Sequence, residues 1–129
     1  MTESTACECA SAPKLIFSCS GAADVGALAD QAARRMTTKG YGKMFCLAGI
    51  GGRVSGIMKS TEAASALLAI DGCALNCAKK SLEAAGFTKF EHIQLSDLGF
   101  QKGESPMSEE ALNTIAERGK AIFEKGALA

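Results

Sequence analysis

The chain of 129 residues contains no tryptophan, one tyrosine, one histidine and two prolines, and its aromatics amount to 5%. So few rings exclude a base-stacking surface of the kind that grips single-stranded nucleic acid. Lys and Arg balance Asp and Glu, 14 against 14, giving zero formal net charge. That removes bulk attraction to nucleic acid or to an anionic membrane, so neither is expected as a partner. No apolar run reaches the length of a membrane span. A single histidine, His92, leaves a Ser-His-Asp or Cys-His hydrolase resting on one mid-strand residue, which reads instead as a packed or surface side chain. The polar start Met1-Thr2-Glu3-Ser4-Thr5 lacks the apolar segment of a secretory signal. A cytoplasmic, reducing setting is the expectation.

What the chain does have is cysteine, six in all, and 47% hydrophobic residues. In a reducing compartment cysteines read as metal ligands or redox groups more readily than as a disulfide framework. Cys7-Glu8-Cys9 falls in residues 1–12, read as a flexible leader, with 13–129 as a single domain. After Pro13 the pattern is strand then helix, four times over. Lys14–Ser18 is the first strand and 22–38 its helix, with Val25, Leu28, Ala29, Ala32 and Met36 at helical spacing. Met44–Ala48 reads as the second strand, breaking into a glycine-rich loop from Gly49 to Gly56. The loop lacks the third glycine of a dinucleotide fingerprint because Val54 stands there. Its amides, beside Arg53, suit a small anion. Ala66–Ile70 is the third strand and Lys89–Leu95 the fourth. Ser108 is positioned to cap a last helix, with Leu112, Ile115, Ala116, Ile122 and Phe123 as its buried stripe.

The densest chemistry lies in Asp71-Gly72-Cys73-Ala74-Leu75-Asn76-Cys77. The Asp-Gly pair marks a strand-to-helix turn, and both cysteines are expected on the first turns of one helix, roughly 5–6 Å apart on a shared face. There the helix dipole favours thiolate. Asp71 is expected to orient that helix by accepting a backbone N–H. Asp97, at the end of the fourth strand, is a second carboxylate for the same edge. Cys19, Cys46 and Cys73 are evenly spaced, about one strand-helix unit apart, each near the carboxyl end of a strand. Alternating strands and helices give a mostly parallel sheet of about four strands in a three-layer α/β/α sandwich, Rossmann-like in plan. Ligand sites in such sheets form outside the carboxyl ends of the strands. Distant cysteines should therefore converge on one edge.

The chain also resembles the DGC-domain family of small prokaryotic proteins. The resemblance rests on Asp71-Gly72-Cys73, on Phe17-Ser18-Cys19-Ser20-Gly21, on Met44 through Gly52, and on Leu95-Ser96-Asp97-Leu98-Gly99. The family is described as zinc-binding on the strength of four cysteines, which correspond here to Cys19, Cys46, Cys73 and Cys77. It implies a four-cysteine zinc site and no assigned biological role. Zinc is the first reading, and an iron–sulfur cluster held by the same four thiolates is the alternative. The alternatives are thiol redox or sulfur transfer through Cys73 and Cys77, and a sensing or handling module in which the metal is the signal.

Overall fold

A computed structural model describes residues 12–128. The leader with Cys7 and Cys9 thus lies almost wholly outside the described residues. The elements run β1 (Lys14–Ser18), α1 (Asp24–Thr38), β2 (Lys43–Met44), α2 (Leu47–Gly51), α3 (Ser55–Ala63), β3 (Ala66–Asp71), α4 (Cys77–Ala84) and β4 (Glu91–Gln94). A single 3-10 turn (Leu95–Leu98) and α5 (Glu109–Leu128) complete them.

The four strands form one parallel sheet in the order β2-β1-β3-β4. Both faces are covered, so β1 and β3 read as continuous apolar runs. Successive side chains point to opposite faces. Ile16, Leu68 and Ile70 pack with α1 and α5, whereas Leu15, Phe17, Leu67 and Ala69 pack with Ile50, Ala78 and Leu82 of α2 and α4. This is the expected α/β sandwich. Among the described residues, no helix is long and apolar enough to cross a membrane.

Helix α1 forms as its periodicity predicts, burying Val25, Leu28, Ala29, Ala32 and Met36. It ends at Gly40, whose φ of +79° is a left-handed conformation that glycine adopts without steric cost. Ser108 caps α5, its hydroxyl accepting from Ala111 N at 3.0 Å.

Two elements depart from expectation. The second strand covers only Lys43–Met44 instead of Met44–Ala48. The last ladder-like bond is Phe45 N to Ile16 O, 2.8 Å, and α2 then starts at Leu47. An apolar run followed by glycines does not distinguish a short buried strand from a short buried helix. The glycine-rich loop is accordingly in large part helix. Arg53 is occupied there: Nη1 donates to Ile50 O and Gly51 O, and Nη2 donates to Ala84 O.

The other departure concerns the Asp-Gly-Cys helix. It begins at Cys77, so Cys73 and Cys77 are not on successive turns of one helix. Cys73 to Leu75 form a turn closed by Asn76 N to Cys73 O, 3.1 Å, and Asn76 takes the left-handed conformation (φ 54°, ψ 48°) that breaks the helical path.

Candidate thiol site at the carboxyl edge of the sheet

In the order β2-β1-β3-β4 the chain leaves β1 toward one side and returns on the other. The gap beyond β1 and β3 is therefore the switch point at which open parallel sheets bind ligands. Cys19 follows β1 directly, and the turn carrying Cys73 follows β3. Cys19, Cys73 and Cys77 line one cavity of about 260 Å³ here, together with Asp71, Asn76 and Lys102. Three of the four expected cysteines thus share a site. Cys46 lines a neighbouring cleft, which Cys19 also borders. Cys19 and Cys73 are half-buried; Cys46 and Cys77 are exposed.

Asp71 organises this edge. Its side chain is 1% exposed. Oδ1 accepts from Ala78 N at 2.7 Å, and Oδ2 accepts from Lys79 N at 3.0 Å. Those amides belong to the first turn of α4, where N–H groups have no intrahelical partner and the dipole favours an anion. The role expected for Asp71, orienting the helix through backbone N–H, is what the structure shows. His92 Nε2 lies 2.9 Å from Oδ2. Sequence reading missed this link. His92 stands opposite Ala69 in the parallel ladder, and Asp71 lies two residues on, on the same face of β3. Only the register reveals the pair. Asp97 is exposed in the 3-10 turn and lines none of these cavities.

Gly72 allows the turn to sit where it does. A Cβ there would meet the backbone of Val25 at 2.7 Å. Its amide donates to Cys19 Sγ at 3.4 Å, and Gly49 N donates to Cys46 Sγ at 3.3 Å. Asp24, at the start of α1, accepts from Gly103 N at 2.9 Å and from Ser105 N at 3.0 Å. It thereby holds the loop bearing Lys102 against the cavity. The amides of Gly103 and then Ser105 hold the Asp24 carboxyl below its ordinary value.

The donor set fits a soft metal ion in kind, with three thiols around one cavity. Asn76 adds an orphan, for its Oδ1 is buried without a hydrogen-bond partner among the described residues. As the side chains stand, no three His, Cys, Asp or Glu among the described residues are gathered closely enough to hold an ion. Metal binding would have to draw the thiols together.

The sequence profile of the DGC domain matches residues 15–118. The chain is also 32% identical, over 105 residues that make up 80% of each chain, to the Anaerobic and virulence modulator AnvM of Pseudomonas aeruginosa. No solved structure matches it.

Proposed function

The chain belongs to the DGC-domain family, and from that premise we propose that it is a metal-binding regulatory protein holding a soft ion, zinc first, through Cys19, Cys73 and Cys77. The observation that carries this reading is the shared cavity of those three thiols at the switch point of the sheet. Cys46, counted as a fourth ligand from sequence, lines the neighbouring cleft that Cys19 also borders, and the reading rests on the three thiols of the shared cavity. Three protein ligands leave a fourth position open. A regulatory role accords with the relative named as a modulator. It also accords with a site whose thiols must move to close on an ion, because occupancy is then coupled to conformation.

The test is elemental analysis of protein purified without oxygen, with thiol titration before and after a chelator. About one zinc per chain is expected, with thiols released by the chelator. Cys73→Ser should lose the metal and Cys46→Ser keep it. Iron with sulfide would replace zinc by a cluster. Reduced protein that takes up neither metal would overturn the metal reading.

A second reading draws on the separation of the side chains. With no three of them gathered among the described residues, Cys73 and Cys77, on either side of the Asn76 break, serve as a dithiol that cycles to a disulfide. A Cys73–Cys77 cross-link, formed by mild oxidant and found by peptide mapping, would favour it.

A further inference from the structure

The cleft beside Cys46 has a volume of about 1000 Å³, at the upper end of the range for small-molecule sites. On the α2 side it presents the exposed thiol of Cys46, whose sulfur accepts from Gly49 N. On the α1 side it presents a cation and an anion together. Arg34 Nε donates to Asp30 Oδ2 at 2.7 Å, and Ser20 donates its hydroxyl to Asp30 Oδ1 at 2.9 Å. The terminal guanidinium nitrogens of Arg34 have no partner among the described residues. The Arg34–Asp30 pair is neutral overall, so the cleft selects for neither sign alone. A ligand bearing a carboxylate and an ammonium side by side, as an amino acid does, meets both groups.

We propose that this cleft binds small disulfides of amino-acid or peptide type, and that Cys46 exchanges with them. The Cys46 thiolate attacks one sulfur of the bound disulfide. A Cys46–sulfur bond forms, the ligand's own S–S bond breaks, and the departing half leaves as a thiolate that takes a proton from water. Cys46 is oxidised to the disulfide level while half of the ligand is reduced. Excess small thiol reverses the step. The cleft would thus record the ratio of disulfide to thiol in its surroundings as a cap on Cys46.

Cys77 supplies an internal control in the metal-free chain, because it too is exposed but lines the other cavity. The full-length chain, reduced, purified without oxygen and stripped of metal by a chelator so that no ion shields Cys77, is treated with oxidised glutathione or with the uncharged bis(2-hydroxyethyl) disulfide. Adducts are then located by peptide mass spectrometry. Oxidised glutathione should cap Cys46 before Cys77, and the uncharged disulfide should show no such preference. Arg34→Gln should slow capping of Cys46 by oxidised glutathione about fivefold, the scale of one exposed ionic contact. It should leave the rate with the uncharged disulfide unchanged. Equal capping of Cys46 and Cys77 in the wild-type chain, or an Arg34→Gln effect that is the same for both disulfides, would overturn the proposal. Zinc retention by Cys46→Ser reports on the metal site separately, so either idea can fail alone.

Discussion

Replacing Asp71 by alanine should cost this protein more than replacing its partner His92. The carboxylate is 1% exposed, and three hydrogen-bonding groups converge on it: Ala78 N, Lys79 N and His92 Nε2. Loss of a helix cap costs about 1 kcal/mol. Leaving buried donors to a charged acceptor unsatisfied costs about 1.5–3 kcal/mol more. His92 is 21% exposed, so water satisfies its ring in the variant and returns part of that cost. A net loss of about 3 kcal/mol follows, or a fall in Tm of roughly 10 °C for a domain of this size. His92→Gln leaves the α4 cap intact and should cost about 1 kcal/mol. Urea unfolding of both variants, and of the double variant, measures the terms separately. If Asp71→Ala costs less than about 1 kcal/mol, or no more than His92→Gln, the carboxylate is not what fixes the start of α4.

Gly72→Ala should lower stability by about 1–3 kcal/mol and speed alkylation of Cys73. The added Cβ meets the Val25 backbone, which cannot yield as a side chain tip would, whereas Gly56→Ala, facing open space, should be neutral or mildly stabilising. Asp24 carries a pH prediction. Its carboxyl is depressed in the folded chain by the Gly103 and Ser105 amides, so its contribution is fully present above the ordinary value of 3.8 and lost as pH falls through the lower folded value. The amide resonances of Gly103 and Ser105 should move together over that acid range in the wild-type chain and stay flat in Asp24→Asn; a matching titration in the variant would refute the latch.

The layers of the fold were legible because local pattern and tertiary environment agree. The α1 stripe and the apolar runs of β1 and β3 are each buried where periodicity puts them. The convergence of Cys19 and Cys73 was legible too, since a parallel sheet brings strand ends together whatever the strand order. The extent of β2 was not legible, because Phe45, Leu47 and Ala48 are as compatible with a helix start as with a strand. Nor was the start of α4. Residues 73–77 have no glycine or proline to announce the break that Asn76 makes; the helix start is held by a carboxylate six residues before Cys77 that reaches the amides of Ala78 and Lys79. The Asp71–His92 link depends on which strand neighbours β3 and in what register. Neither is a local property, so no window of sequence contains it.

The three residues that open the motif do separate physical work, and this explains why they sit in this order. Asp71 is the last residue of β3 and points to the face covered by α4, as Leu67 and Ala69 do. One residue later its carboxylate would point to the α1 face and could not reach the α4 amides. Gly72 follows because the chain must pass within contact of Val25 as it leaves the sheet, where a side chain has no room. Only after that passage is the backbone free to turn, and the first residue with space for a reactive group is Cys73, at the cavity it shares with Cys19 and Cys77. Moving the cysteine one place earlier would bury it against α1. The helix cap also fixes the position of Cys77, because the amides held by Asp71 belong to the two residues that follow it. One buried carboxylate therefore locates two thiols from opposite directions along the chain, and its removal should be felt at both. Alkylation of Cys73 and of Cys77 should change together in Asp71→Ala, while Cys46, whose position is set by the Gly49 amide in a separate cleft, keeps its wild-type rate.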